Sequence, residues 1–429
     1  MKNKYLLFYY VILIVILCSW TSTTSSPNLS LRLVYLFALT VPAVLSENWV
    51  PLVFTCFMTV ATQGFAYSYF PSGVEYYGYC ALFSIILLAV FNKKGNFRSI
   101  PPIIYITVIY VSLIDLLTSL EIQPFTYMGL MLVCIIASIG FDGENYRLKW
   151  ATAFSIATIV LSAAFLLNRD VFTTMYDAGL ERTGWTDANY FGMVLGMGSI
   201  ISVNELFVNE QNISKYVKVI FYSCIAISLP VLFMNASRGA ILSVSVGMLV
   251  TFIGAKIKPI QKYLIIAAFV AFIGLLYTNE YLELFIYRVN NLQGGDATNG
   301  RVDIWIHKLN AFFNEGSIFE ILFGYGFENA INVGVNKGFH NDFVAFIVEY
   351  GFIGIILFLT MLLNPYRIFV ANGKKNIYFL SLFGYLIFCL FSLEPFTNGT
   401  IPFVFFYAYM FYLSVKNPCK SLNSPIEYA

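Results

Sequence analysis

Residues 299–354 read NGRVDIWIHKLNAFFNEGSIFEILFGYGFENAINVGVNKGFHNDFVAFIVEYGFIG. The stretch is the tail of the longest polar interruption in an otherwise hydrophobic chain. It holds both histidines, His307 and His340, and ends by running into another apolar span. Working outward from it, the chain has 429 residues, 59% of them hydrophobic and only 11% charged. Such a composition belongs to a polytopic membrane protein, in which few places remain for aqueous chemistry. This stretch is the largest of them.

Apolar runs recur at approximately 5–20, 31–46, 50–67, 76–92, 101–120, 124–141, 150–167, 188–208, 217–234, 239–254, 262–277, 342–363, 377–393 and 399–415. They predict an all-α membrane protein of about fourteen (12–14) transmembrane helices, each about long enough to cross a ~30 Å hydrocarbon core. The chain reads as one membrane domain over residues 1–429, with a long outward loop at 278–341 and an amphipathic helix near 301–314. The first span lacks a small-residue cleavage site and reads as uncleaved. The seven cysteines are scattered, with no Cys-x-x-Cys and no metal-type spacing. Neither a disulfide framework nor a metal site is expected. The near-neutral net charge gives no sign of nucleic-acid binding.

With the N-terminus in the cytoplasm, most basic residues fall on the inner side, as the positive-inside rule expects. Both termini are then cytoplasmic. The inner cations are nearly all lysine, whereas the outer side carries Arg32, Arg169, Arg182, Arg238, Arg288 and Arg301 against Lys308 and Lys337. Topology needs only positive charge. Arginine is favoured where a phosphate or carboxylate must be held by a planar fork that stays charged when partly desolvated. The competing reading is that these arginines pair with nearby acids such as Asp170, Glu181 and Asp303.

Three outward patches carry candidate chemistry. In Glu181–Gly192 (ERTGWTDANYFG), Thr186 or Asp187 can cap the next helix, making a donor-rich anion site with Arg182 just upstream. Asp187 and Asn189 read equally well as caps alone. The tight turn Asn235–Gly239 (NASRG) leaves Arg238 at the membrane surface, where an arginine is costly and marks function by default. Snorkelling to headgroups is the alternative. In the third patch Val302, Trp305, Leu309, Phe312 and Phe313 repeat at three- and four-residue steps, so this helix has an apolar face. Arg301 sits in its first turn, where the macrodipole disfavours a cation, so a bound anion would account for it. His307, four residues after Asp303, reads as a surface pair. His340 stands just ahead of a helix start that Asn341 can cap, a setting that favours neutral imidazole, able to accept a proton. Glu349, two turns further on, needs a polar partner at that depth.

The ordered set Ser237-Arg-Gly-Ala240, Gly300-Arg-x-x-x-Trp305, Gly324-x-Gly326, His340-Asn341 and Glu349-Tyr-Gly-x-x-Gly354 resembles the O-antigen ligase/polymerase superfamily, over roughly residues 180–363. The resemblance implies a helical membrane glycosyltransferase of the GT-C-like type in the bacterial inner membrane, with its active site at the periplasmic face. It implies an undecaprenyl-diphosphate-linked oligosaccharide as donor and no metal or other cofactor. Membrane lipid and a chain-length regulator are the further expected partners. On this resemblance Arg238 and Arg301 hold the diphosphate, His340 assists the acceptor hydroxyl, and Glu349 competes with His340 as the base. Arg182, Arg288, Asp187, Asn189 and Asn341 are candidate substrate-binding residues. A polymerase of lipid-linked repeat units is the first expectation and a ligase the closest alternative. A lipid-linked glycan transporter and a non-catalytic assembly partner are the more distant ones.

Overall fold

The computed structural model describes residues 101–118, 144–167, 173–177, 180–183, 188–208, 213–255, 258–278, 282–290, 300–371 and 377–392. The spans expected at 5–20, 31–46, 50–67, 76–92, 124–141 and 399–415 lie outside the described residues, as does Asp187. The elements in chain order are α1 (Pro102–Thr118), α2 (Glu144–Leu167), β1 (Thr173–Asp177), β2 (Leu180–Thr183), α3 (Ala188–Phe207), α4 (Lys215–Met234), α5 (Arg238–Gly254), α6 (Pro259–Thr278) and α7 (Glu283–Asn290). They continue with α8 (Arg301–Glu315), α9 (Ile318–Phe323), α10 (Phe327–Ala330), α11 (Asp342–Ala371) and α12 (Ile377–Ser392).

The described residues are helical apart from one short hairpin, which the sequence reading did not foresee. β1 and β2 pair antiparallel, with Met175 opposite Arg182 and Asp177 opposite Leu180. The sequence TTMYD followed by LERT is rich in β-branched and aromatic residues, and only Ala178 and Gly179 lie between, the length of a tight hairpin connection. Among the described residues, two helices, Lys215–Met234 and Asp342–Arg367, are long and apolar enough to cross a membrane. Pro102–Thr118, Arg238–Gly254 and Ile377–Ser392 are shorter apolar helices.

α3 packs against α2, α4 and α5, and α5 packs along α12. Between membrane helices the hydrophobic effect supplies no attraction, so close approach and interhelical hydrogen bonds must hold them. Both are present. Gly196 of α3 lies against Val244 and Tyr385, and Gly247 of α5 against Ile200 and the Ser381 carbonyl. Ser155 and Ser202 hydroxyls are 2.8 Å apart, Ser199 and Ser228 2.6 Å. Asn204 donates to Ser381 Oγ at 3.0 Å and accepts from Thr251 Oγ1 at 2.9 Å, tying α3, α5 and α12 together.

A second group, α1 and α8–α10, gathers on α11. The sequence predicts one straight span at 342–363; instead α11 breaks at Gly351, whose φ of 66° and ψ of −168° are non-helical. The break is sharp. Phe346 and Phe358 would be roughly 18 Å apart along a straight helix, yet their rings stack with centroids 4.0 Å apart. The first leg, Asp342–Tyr350, therefore folds back over the second, Phe352–Ala371.

The broken hydrogen-bond ladder is repaired from outside. Tyr325 N–H donates to Val348 O at 3.0 Å and Gly326 N–H to Glu349 O at 2.8 Å, while Tyr110 Oη donates to Tyr350 O at 2.9 Å. Gly324 and Gly351 have φ of 85° and 66°. Each lies against the other's strand of backbone, Gly324 on Glu349 and Gly351 on Leu322, so a side chain at either position would collide with main chain. Irregular backbone at membrane depth survives only where protein satisfies it in this way. Asp115 of α1 completes the junction, its carboxylate accepting from Phe327 N–H at 3.1 Å and from Tyr350 Oη at 3.2 Å.

Candidate functional site

The turn between α4 and α5 is built by short polar side chains. Asn235 closes α4 with its N–H on Val231 O, Ala236 takes a left-handed φ of 50°, and Ser237 caps α5 by accepting from Ala240 N–H. Ser237 Oγ also donates to Asn189 Oδ1 at 2.8 Å, which fixes Asn189 to the turn. Arg238 is thereby the first residue of α5, half-buried. Gly239 beside it lies on Ser392: a Cβ at this position would come within 2.9 Å of Ser392 Oγ.

Arg301 is the first residue of α8, whose cap is Gly300 with φ 75° and no side-chain cap bond. Its Nη1 donates to Ser392 O at 2.6 Å. Ser392 ends α12, where unpaired carbonyls carry the negative end of the macrodipole. A guanidinium that its own helix disfavours thus finds part of its compensation at the end of another helix. Arg301 and Gly239, the residue after Arg238, are distant in sequence and both meet α12 at this one residue.

The helix start that follows His340 is tied to the end of α12 by a different route. It has a left-handed φ of 51°, a conformation uncommon outside glycine that persists only where surrounding structure dictates it. The surroundings do dictate it. Trp305 Nε1 donates to Phe339 O at 2.6 Å. Lys308, fully buried, donates from Nζ to Ala330 O (3.2 Å), Ile331 O (2.9 Å) and Val333 O (3.3 Å), and its Nζ lies 4.3 Å from the Phe339 ring centroid. After His340, Asn341 Oδ1 accepts from Phe343 N–H (2.9 Å) and Val344 N–H (3.2 Å), capping α11. The Phe343 ring then packs on Phe391 at 4.6 Å, one residue before Ser392. The end of α12 is the meeting point of the Arg238 turn, the Arg301 helix start and the helix start that follows His340.

The remaining candidates are distributed around this centre. Glu349 is buried in the wall of the Gly351 break. Arg182 lies on β2, which abuts α7, the helix carrying Arg288. α7 in turn meets α4 through Phe285 and Phe233, 6.1 Å apart, just ahead of the Arg238 turn. His307 and Asp303 are both exposed on α8. Burial, reinforced by the Glu320 and Glu315 carboxylates, raises the Tyr325 phenol above its ordinary range, so it stays neutral beside the break. Among the described residues no group of three His, Cys, Asp or Glu side chains could hold a metal ion.

Sequence reasoning missed three residues. Lys308 shares the inward stripe of Trp305 and Phe312 at three- and four-residue spacing, and that spacing was the available signal. Asp115 is the lone acid in the apolar run Ile103–Leu117, a feature that marks a partner or a role. Ser392 acts through its backbone carbonyl and packing, and nothing about its residue type announces it.

Residues 223–359 match the family model described as O-antigen ligase. Over that segment the chain is similar to the O-antigen ligase family. The matching O-antigen ligase segment starts inside α4 and ends inside the second leg of α11. It contains Arg238, Arg288, Arg301, His340, Asn341 and Glu349, together with Gly324, Gly326 and Gly351, which pair across the break. Ser392, Asn189 and Asp115 lie outside it. No curated protein matches the chain. The family match and the apolar helices both point to a membrane protein.

Proposed function

We propose that the chain is a metal-independent glycosyltransferase of the periplasmic membrane face that joins undecaprenyl-diphosphate-linked repeat units into a polysaccharide. The observation that carries this reading is the convergence at Ser392 of Arg301, whose guanidinium bonds its carbonyl, and the Arg238–Gly239 turn. In the proposed reaction the acceptor hydroxyl oxygen attacks the anomeric carbon. The bond from that carbon to the diphosphate oxygen breaks, and the diphosphate leaves with the bonding pair. Negative charge builds on the leaving group, and fixed guanidiniums aimed at it stabilise that charge directly. The hydroxyl proton passes to His340, held at the helix start by Trp305, Lys308 and Asn341. Glu349 is the alternative base, and its burial in the Gly351 break favours a supporting role. Arg182, Arg288 and Asn189 are the further proposed substrate-binding residues.

The family description favours a second reading, transfer of a finished polymer onto lipid A–core by a ligase. Gene deletion separates the two. Loss of a polymerase leaves lipopolysaccharide capped with single repeats. Bare core with accumulating lipid-linked polymer would overturn polymerisation in favour of ligation. Purified protein that moves the donor across vesicles without extending any chain would sink both.

A further inference from the structure

Ile318 and Phe319 of α9 are 72% and 71% exposed, with Leu322 at 40% and Phe313, at the end of α8, at 47%. Four large apolar side chains in ten residues of a polar loop make a contiguous patch, and such patches mark contact surfaces. This one has a neighbour that identifies its occupant. The Phe313 ring lies 6.0 Å from that of Phe352. Phe352 opens the exposed stripe of the second α11 leg, Phe352, Ile356, Leu359 and Leu363, at four-, three- and four-residue steps. The second leg is apolar, and in a membrane protein an exposed apolar stripe of this length is a surface for hydrocarbon.

Through Phe313 and Phe352 the patch on α8–α9 adjoins that stripe. Its polar edge is consistent with the waterline. Asn314, Glu315 and Ser317 are exposed just ahead of the patch. α9 also satisfies its own first N–H groups with a capping box: Ser317 N–H donates to Glu320 Oε2 at 2.6 Å, and Glu320 N–H to Ser317 Oγ at 3.3 Å. A short helix at a membrane interface needs such internal closure, because water reaches it from one side only.

We propose that the end of α8 together with α9 is a membrane foot. Phe313, Ile318, Phe319 and Leu322 lie among the acyl chains of the outward leaflet, and Glu315 and Ser317 lie at headgroup level. The occupant is bulk bilayer lipid, and the proposal is independent of the glycosyl-transfer reading. The test places benzoylphenylalanine at position 318 or 319 of the full chain, at position 356 as the lipid-facing reference and at position 303 as the water-facing one. Each protein is reconstituted in phosphatidylcholine vesicles, irradiated and read by mass spectrometry. Phospholipid adducts at 318 and 319 are expected within about twofold of those at 356, and about fivefold or more above those at 303. Adducts at 356 with none at 318 or 319 overturn the foot. Cross-linked dimer from 318 or 319 in the vesicles, or a cross-link to another polypeptide in native membranes, assigns the patch to protein and overturns it equally.

Discussion

Arg301 shows why residue identity matters more than charge at this site. Its Nη1 reaches Ser392 O at 2.6 Å from the start of a helix that disfavours it, and lysine could keep the charge but not the fork. Arg301→Lys is therefore expected to lower kcat/KM for polymer formation by about 10²-fold or more, the scale of losing one oriented donor. In vitro chain extension from lipid-linked repeats checks this, and activity within threefold of the parent would count against a diphosphate role. Lys308 illustrates the opposite case, a cation with no expected contact to substrate. Lys308→Met removes three charge-assisted hydrogen bonds to backbone carbonyls, that of Ala330 buried, and should cost about 1–3 kcal/mol of stability, seen as a lower unfolding midpoint in detergent. The same change releases Phe339, so turnover should fall beyond what the lost folded fraction explains. Because the proposed charge stabilisation is by guanidinium, chain extension is also expected to persist in excess EDTA.

At the scale of elements, the break in α11 governs. Gly351→Ala places a Cβ against the Leu322 carbonyl at a φ that alanine resists. The backbone penalty alone is about 1–3 kcal/mol. Faster limited proteolysis near 318–326 should report the loosened junction, and an unchanged digestion pattern would mean that the two segments do not depend on each other. This is also where sequence reasoning reached its limit. The helix start at Asp342 was legible because Asn341 is a good cap placed just before an apolar run. The break was not, because Gly351 has the same apolar flanks as Gly196 and Gly247, which are ordinary packed helix glycines. Only the partner segment Gly324–Gly326 distinguishes it, and that pairing is non-local. The candidate site divides the same way. A preference for arginine over lysine on one side of the membrane singled out Arg238 and Arg301, but their meeting place is a backbone carbonyl on another helix, for which residue type carries no signal.

On the scale of the molecule, among the described residues the bundle of α2–α5 with α12 meets the group around α11 through contacts that include Phe343 on Phe391 and Arg301 on Ser392. Phe391→Ala removes an aromatic contact worth about 0.5–1.5 kcal/mol beyond its buried area. Hydrogen exchange should quicken over 339–350 and stay unchanged within α3 and α5. Quickening in both regions would mean that the two groups open as one unit.

The junction of α1 with α11 has a consequence for synthesis. Asp115 is made 212 residues before Phe327 and 235 before Tyr350, the two residues that donate to its carboxylate. At about 5–20 residues per second, a ribosome takes roughly 10–50 s to close that interval. Throughout it the nascent chain carries an acid at the end of an apolar helix before either of those partners exists. Chains truncated ahead of Phe327 should accordingly be cleared by membrane proteases faster than chains truncated after Gly354, and pulse–chase labelling of the two lengths measures the difference.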